Sequence, residues 1–333
     1  MEEIIQLINE ANSIVITTHK SPDGDAIGSS LALFHFLKKR GKKVKVIVPD
    51  QFPDFLKWME ASDEIIQYDK EMEESEKIIS EADLIFSLDY NGLGRIGLLS
   101  EPIRASSATK IVIDHHQNPQ EFADHYIVDV NSCSTAQLIY EFISGLGQLD
   151  LLDVKMGECI YCGIMTDTGS FRFPSTTSNT HKIIAHLIEL GVNGSSIHQQ
   201  VYDTYSDQRL RLLGYALTEK MKVFPDQKAA YISLSQQELK RFSFKKGDTE
   251  GLVNYPLSID GIKVSVFITE KEDNISLSFR SKDNFHVNKI AHKHFNGGGH
   301  IFAAGGMLEC TLEDAIKKVE AIIIQNKNGF KSN

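Results

Sequence analysis

Aspartate and histidine side chains recur where the apolar runs in the first half of the chain end. The residues that share this placement are His19, Asp23, Asp25, Asp89, Asp114, His115, His116 and Asp167. Any one of them alone would be interpreted as a helix cap, a turn former or an ordinary polar residue. The triplet 114–116 is different, because three ionisable groups directly after isoleucine and valine would cost several kcal/mol if buried without partners. Divalent cations would provide those partners. Carboxylate with imidazole and no thiolate favours Mn²⁺ over structural zinc, with Mg²⁺, Fe²⁺ or Co²⁺ as alternatives.

The segments that must position these side chains alternate between strand and helix patterns. Runs rich in β-branched residues indicate strands at 13–19, 44–48, 83–89 and 110–116. Apolar residues at helical spacing indicate helices at 26–41, 68–83, 133–147 and 154–167. This alternation predicts an α/β fold with a doubly wound, mainly parallel sheet. Ligands of such sheets bind beyond the carboxyl ends of the strands, where the acidic and histidine residues fall.

The second half of the chain follows a different pattern. Small, polar and glycine residues interrupt the alternation at 191–200, and a helical pattern follows at 209–217. Strands with an antiparallel appearance are expected at 229–235, 262–269 and 274–281, with a final helix at 311–324. We therefore expect a metal-binding catalytic domain at 1–190, a linker and connecting helix at 191–218, and a smaller α+β substrate-binding domain at 219–333.

Charge is distributed unevenly along the chain, whose net charge is −10. Residues 219–333 hold 17 Lys and Arg against 14 Asp and Glu, a net charge of +3, which leaves −13 on residues 1–218. An acidic body of this kind would repel a long phosphate backbone, so long nucleic acids are not expected as partners. The slightly basic second half could hold a small anionic substrate.

The composition predicts a cytoplasmic protein with no membrane association. The N-terminal segment is acidic and amphipathic, unlike a signal peptide, and no run approaches the roughly 18 apolar residues of a membrane span. Cys159 and Cys162 form a C-x-x-C within an apolar helical pattern, which predicts buried core thiols in a reducing compartment. The oligomeric state is left open, a homodimer included.

The acidic and histidine residues resemble the motifs of the DHH phosphoesterase superfamily. The pattern H-x-x-x-D-x-D at 19–25, the strand-end Asp89, the triplet 114–116 and Asp167 match its four motifs in order and spacing. In the second half, Phe279-Arg280-Ser281 and the run GGGHIFAAGG at 297–306 are similar to the DHH-associated domain. The two-domain size is similar to the branch of bifunctional oligoribonucleases and 3′-phosphoadenosine 5′-phosphate (pAp) phosphatases.

The resemblance implies two adjacent divalent cations. The first would be held by His19, Asp23 and Asp89, and the second by Asp25, Asp89, His115 and Asp167. Such a pair would acidify a water for in-line attack on phosphorus. The neighbouring His116 is then the expected catalytic acid that contacts the phosphate and protonates the leaving oxygen, and Asp114 is expected to orient a histidine.

A glycine-rich loop in the second half is the expected substrate contact. Its small residues let the backbone approach an anion closely and present successive N–H groups to it. Arg280, at the end of a predicted strand, offers a planar guanidinium to a phosphate. The resemblance implies that Arg280, Gly298, Gly299 and His300 bind the substrate.

The predicted function is hydrolysis of oligoribonucleotides of about two to five nucleotides to mononucleotides, of pAp to AMP, or of both. Alternatives within the superfamily are a cyclic-dinucleotide phosphodiesterase and a hydrolase of linear dinucleotides. A type II pyrophosphatase would carry a basic closing motif, which is absent, and a RecJ-type exonuclease would need further DNA-binding domains. A non-catalytic nucleotide-binding sensor is the alternative of another class. The fragment GLGRIG at 92–97 gives it little support, because no acidic ribose partner follows in a βαβ context.

Overall fold

The computed structural model describes residues 2–283 and 285–325. The chain divides into two compact units, Met1–Thr204 and Tyr205–Asn333. None of the described helices is both long and apolar enough to cross a membrane.

A six-stranded sheet forms the centre of the first unit. Its strands are β1 Ser13–Thr17, β2 Lys43–Val48, β3 Ile66–Gln67, β4 Leu84–Leu88, β5 Thr109–Asp114 and β6 His125–Val128. All neighbours pair in parallel, in the order β3-β2-β1-β4-β5-β6. The predicted doubly wound parallel sheet is therefore confirmed. Strand order reverses between β1 and β4, and open α/β sheets bind ligands at the carboxyl ends of such a switch point.

Helices cover both faces of this sheet. They are α1 Glu2–Glu10, α2 Gly24–Lys39, α3 Met72–Ser80, α4 Ser100–Ala105, α5 Thr135–Gly145, α6 Val154–Asp167, α7 Ser178–Glu189 and α8 Gly194–Tyr202. Along β1, Ile14 and Ile16 face the core formed with α2, α5 and α6, whereas Val15 faces the core formed with α3 and α4. Because helices cover both faces of the sheet, nearly every position of each central strand is buried, and its sequence is a continuous apolar run. Residues 194–202, within the predicted linker, form α8, which buries Ile197 and Val201 in the core of the first unit.

Glycines allow α2 and α6 to pack closely. A Cβ on Gly28 would lie 2.5 Å from the carbonyl oxygen of Cys159, and one on Gly24 would lie 2.3 Å from Thr166 Oγ1. This packing sets the first turn of α2 against the last turn of α6. Cys159 and Cys162 are buried there as free thiols, so the predicted core cysteines are confirmed.

The second unit is a smaller α+β fold, as predicted. Its elements are α9 Asp207–Glu219, β7 Met221–Phe224, β8 Ala229–Leu234, α10 Gln236–Arg241, β9 Val264–Glu270, β10 Ile275–Ser281, α11 Val287–His294, β11 Gly298–His300, β12 Ala303–Leu308 and α12 Leu312–Gln325. The sheet order is β11-β12-β10-β9-β8-β7.

The expected antiparallel arrangement is wrong for one pair of strands, because β8 and β9 run parallel, while β9–β10 and β10–β12 are antiparallel. A period-two apolar pattern does not distinguish the two directions. The connection between β8 and β9, which contains α10 and a 3₁₀ helix at Leu252–Ser258, is long enough for a crossover.

Candidate metal centre

His19 lies two residues beyond β1, with its imidazole buried between carboxylates. Its Nδ1–H donates to the carbonyl oxygen of Lys20 at 2.9 Å, which directs Nε2 toward the site. Nε2 lies 3.4 Å from Asp89 Oδ2 and 3.8 Å from Asp23 Oδ2. Asp23 is the N-cap of α2, and its other oxygen, Oδ1, accepts hydrogen bonds from the amides of Asp25 and Ala26. One oxygen of Asp23 therefore has a structural role and the other faces His19.

Asp25 occupies the first turn of α2 and is 1% exposed. Its carboxylate lies at the N-terminus of α5, where the amides of Thr135 and Ala136 donate to Oδ2 and Oδ1 at 2.7 and 2.8 Å. Backbone N–H groups at a helix N-terminus stabilise a carboxylate by direct bonds and by the helix dipole. The carboxylate is thus held in a fixed orientation by a segment more than 100 residues away in sequence.

Asp89 follows β4 and lies at the centre of the cluster. Its backbone has a φ of +63°, in the left-handed region that Asp tolerates better than most residues. Oδ2 faces His19, while Oδ1 lies 3.4 Å from His115 Nε2 and accepts a 2.9 Å hydrogen bond from Thr135 Oγ1. A strained backbone and two imidazoles on one carboxylate mark this position as a functional candidate.

His115 lies directly beyond β5 and faces three carboxylates. Its Nδ1–H donates to the carbonyl oxygen of Ser132 at 3.3 Å, which again leaves Nε2 directed at the cluster. Nε2 lies 3.6 Å from Oδ2 of Asp167, the last residue of α6, and 3.8 Å from Asp25 Oδ2. The chain therefore brings Asp25, Asp89 and Asp167 to the same imidazole.

His116 and Asp114 form a separate pair at the edge of this cluster. His116 Nδ1–H donates to Asp114 Oδ1 at 2.7 Å and lies 3.7 Å from Asp89 Oδ1. Asp114 is fully buried as the last residue of β5, and its Oδ2 has no hydrogen-bond partner among the described residues.

The donor atoms fit divalent cations in number and type. Two groups of three side chains, His19-Asp23-Asp89 and Asp25-Asp89-His115, each place their ligand atoms within 4.8 Å of one another. Asp89 belongs to both groups. With Asp167, whose Oδ2 lies 3.6 Å from His115 Nε2, the set has four carboxylates, two imidazoles and no thiolate, which suits Mn²⁺ or Mg²⁺ better than structural zinc. The residues present therefore fit a two-metal site.

Charge repulsion within the cluster also favours cations. Burial raises the pKa of the Asp25 carboxyl well above its usual range, and the charges of Asp89 and Asp167 raise it further. Burial likewise raises the pKa of Asp167 to about 6. For Asp89, burial favours the neutral form, but hydrogen bonds from two histidines hold the pKa well below the usual range. Burial also opposes the charged form of His19, but hydrogen bonds to two carboxylates raise its pKa to about 10. In the metal-free protein, protons on these groups therefore offset the negative charge of the cluster, and bound metal ions would replace them in that role.

In the second unit, the sheet places Arg280 and His300 on one face. Arg280 in β10 pairs with Ala303 in β12, and Ala303 in turn pairs with His300 in β11. Directly paired residues of antiparallel strands point to the same side, so the two side chains emerge together, about 10 Å apart at the backbone. Gly299 has a φ of +135°, and a Cβ there would lie 2.6 Å from the carbonyl oxygen of Ala303. This loop conformation requires glycine at that position.

Gly298 presents open backbone beside it. A Cβ at this residue would meet nothing within 4 Å, so the space beside its Cα is open.

Thr135 is the residue that sequence reasoning missed. It contacts both Asp25 and Asp89, yet its sequence context, the start of an apolar helix after Ser134, is typical of a helix cap. A Ser-Thr pair at a helix start was the only signal, and it does not reveal a contact with distant carboxylates.

Two family models match the chain. The N-terminal domain of the DHH family matches residues 13–164, and the DHHA1 domain matches residues 226–325. Together they cover every residue of the cluster except Asp167, and the glycine-rich loop of the second unit. The chain belongs to the DHH family. This confirms the resemblance on which the ligand assignments depend.

Relatives of this DHH protein align over most of its length. It is 30% identical to the bifunctional oligoribonuclease and PAP phosphatase NrnA of Bacillus subtilis, over 92% of each chain. It is 32% identical to the NrnA of Thermus thermophilus, over 92% of this chain and 87% of that one. Among solved structures, it is similar to an exopolyphosphatase-related protein from Bacteroides fragilis. That match has a TM-score of 0.93 and 44% identity, and it covers 98% of this chain and 96% of that one.

Proposed function

We propose that this DHH protein is a two-metal phosphoesterase that hydrolyses oligoribonucleotides of about two to five nucleotides to mononucleotides and pAp to AMP. One observation supports this most strongly: His19 and His115, which follow β1 and β5, converge on the Asp89 carboxylate, and Asp167 at the end of α6 lies against the same His115. The names of the NrnA relatives, which align over nearly the whole chain, support the substrate class.

The residues of the cluster would hold the two ions as follows. His19, Asp23 and Asp89 would bind one, and Asp25, Asp89, His115 and Asp167 the other, with Asp89 shared. Mn²⁺ is the proposed ion. When bound, such a pair polarises the phosphoryl group and lowers the pKa of water. The remaining contributions to catalysis come from the side chains around the pair.

His116 is the proposed proton donor to the leaving oxygen. Its Nδ1–H is engaged by Asp114, so the transferred proton would be held on Nε2. The fully buried Asp114 carboxylate orients the ring by accepting this hydrogen bond. Arg280 and His300 would bind a phosphate or base of the substrate, and the exposed Gly298 and Gly299 would let it approach the backbone closely.

A substrate panel tests this function. Protein stripped of metal by a chelator and reloaded with Mn²⁺ would be assayed on pAp, a diribonucleotide, inorganic pyrophosphate and a cyclic dinucleotide. We expect the diribonucleotide and pAp to be hydrolysed with the highest kcat/KM, and the stripped protein to be inactive. Faster turnover of pyrophosphate or of the cyclic dinucleotide would contradict the proposed substrates. Binding of nucleotides without hydrolysis of any of them would indicate a sensor.

A further inference from the structure

Thr135 joins two carboxylates that reach the cluster from different elements. Its amide donates to Asp25 Oδ2 at 2.7 Å, and its hydroxyl donates to Asp89 Oδ1 at 2.9 Å. Threonine and both aspartates are at most 2% exposed, so water does not compete for these bonds. One residue therefore constrains the carboxylate that follows β4 and the carboxylate on α2 at the same time.

At the start of α5, the first two backbone amides are available to bind Asp25. The N-cap residue Ser134 uses its side chain to accept from the amide of Gln137, so it does not satisfy the first two amides of the helix. Those two amides, of Thr135 and Ala136, bind the Asp25 carboxylate instead. A carboxylate from another element binds favourably at a helix N-terminus, because the backbone amides and the helix dipole both stabilise its negative charge.

Glycine on α6 makes room for this arrangement. A Cβ on Gly163 would lie 2.5 Å from Ala136 Cβ and 2.9 Å from Asp25 Oδ1. The glycine thus lets α6 pack directly against the point where Asp25 meets α5. The carboxylate is enclosed and its orientation is fixed by packing as well as by hydrogen bonds.

We propose that Thr135 is a positioning residue for the two-metal centre, a role that rests on the proposed function. Its hydroxyl fixes the rotation of the shared Asp89 carboxylate, and its amide fixes that of Asp25. Both carboxylates then point toward the same position before a cation arrives. Without the hydroxyl, the Asp89 carboxylate would be held mainly by His19 and His115, and these are the imidazoles that must bind the cations through the same Nε2 atoms. Loss of such a supporting hydrogen bond typically lowers metal affinity about 10- to 100-fold.

Substitutions at Thr135 separate its two contacts. Thr135→Val keeps the branched shape and the amide bond to Asp25 but removes the hydroxyl bond to Asp89. Thr135→Ser keeps both. Mn²⁺ would be titrated calorimetrically into each metal-free protein. We expect Thr135→Val to weaken Mn²⁺ binding by about 10- to 100-fold and Thr135→Ser to stay within about threefold of the unsubstituted protein. Raising Mn²⁺ should restore much of the lost kcat of Thr135→Val, because the defect lies in metal binding.

Thr180→Val is the matched control. Thr180 is a fully buried threonine on α7 whose hydroxyl donates to Gln137 Oε1 at 2.8 Å, so it also bonds to α5 but contacts no carboxylate of the cluster. Its loss should lower thermal stability without changing Mn²⁺ affinity. Unchanged affinity in Thr135→Val, or an equal loss in Thr180→Val, would overturn the positioning role. Failure of the unsubstituted protein to bind Mn²⁺ would instead contradict the proposed metal centre, so the two failures are distinguishable.

Discussion

His116 donates a 2.7 Å hydrogen bond from Nδ1 to Asp114 Oδ1, whereas its neighbour His115 donates from Nδ1 to a backbone carbonyl. The two imidazoles therefore differ in the group that supports them. The Asp114 carboxylate holds the Nδ1 side of the His116 ring, so its Nε2 is the nitrogen available for proton transfer. A backbone carbonyl accepts the Nδ1 proton of His115 and leaves Nε2 directed at the cluster, which suits a metal ligand. This difference is the physical basis for assigning different roles to adjacent histidines.

Removal of the His116 ring should affect turnover and spare metal binding. We expect His116→Ala to lower kcat by about 10²- to 10⁴-fold, the usual contribution of a general acid. Asp114→Asn should also lower kcat, since a neutral amide oxygen is a weaker acceptor than the carboxylate that orients the ring. Turnover measurements with metal analysis by mass spectrometry would check this. A His116→Ala protein that has lost its metal would show that the residue is a ligand.

The shared carboxylate should control both ions. Asp89→Asn is the informative substitution, because asparagine also tolerates the φ of +63° and so only the charge and one ligand oxygen are lost. We expect fewer than two bound ions per chain and a loss of activity of several orders of magnitude. Asp83→Asn is the control, since Asp83 precedes the same strand and binds the amides of Asn12 and Ser13 far from the cluster. Two ions retained in Asp89→Asn would exclude a bridging role.

The sequence predicts the cluster residues that follow the strands, but it does not predict the hydrogen bonds that join their side chains. Asp89 and the triplet 114–116 stand directly after apolar runs, and the parallel sheet brings such positions to one edge. Thr135 was not recognised because its role depends on a contact with Asp25 across more than 100 residues. The direction of β8 against β9 was missed for a related reason, since strand patterns carry no information about direction.

Protonation of His19 should couple metal binding to pH. Its pKa of about 10 means that the ring is charged at neutral pH, while a metal binds only the neutral ring. Mn²⁺ uptake should release about one proton from this residue, and affinity should rise as pH increases toward 10. Calorimetry in buffers of different ionisation enthalpy measures the released protons. His19→Asn should release about one proton fewer, and equal release would show that His19 is not a ligand.

The same shift makes the metal-free protein sensitive to alkaline pH. The pKa of His19 is higher in the folded chain than the ordinary value of 6.5, so its stabilising contribution is complete below pH 6.5. That contribution is lost as pH rises through about 10. Denaturant unfolding of metal-free protein across this range should show a decline that is smaller in His19→Asn.

Close packing at Gly163 should make this position intolerant of a side chain. We expect Gly163→Ala to destabilise the protein by about 1–3 kcal/mol, because its Cβ would overlap Ala136 and the Asp25 carboxylate. Mn²⁺ affinity should fall as Asp25 is displaced. Gly214→Ala is the contrasting change, since its Cβ on α9 would meet nothing within 4 Å, and it should stabilise by about 0.5–1 kcal/mol. Thermal and denaturant unfolding would measure both. Equal effects of the two substitutions would contradict the packing argument.

Substrate length should be limited by the distribution of charge. Residues 1–218 carry a net charge of −13 and residues 219–333 only +3, so the chain offers little positive surface for a long phosphate backbone. Arg280 and His300 emerge on one face of a sheet within about 10 Å, which suffices for a nearby phosphate or base but not for an extended strand.

We therefore expect kcat/KM to be highest for dinucleotides and to fall steeply toward a 20-nucleotide RNA. Labelled RNAs of two, five and 20 nucleotides, compared at the same Mn²⁺ and salt concentrations, measure this dependence. Lowering the salt concentration strengthens the attraction of phosphates to Lys and Arg, but it also strengthens their repulsion by the acidic surface. If that repulsion limits binding, lower salt should not restore degradation of the 20-nucleotide RNA. Equal or faster degradation of the 20-nucleotide RNA would favour an exonuclease with an open channel over the proposed enzyme of short substrates.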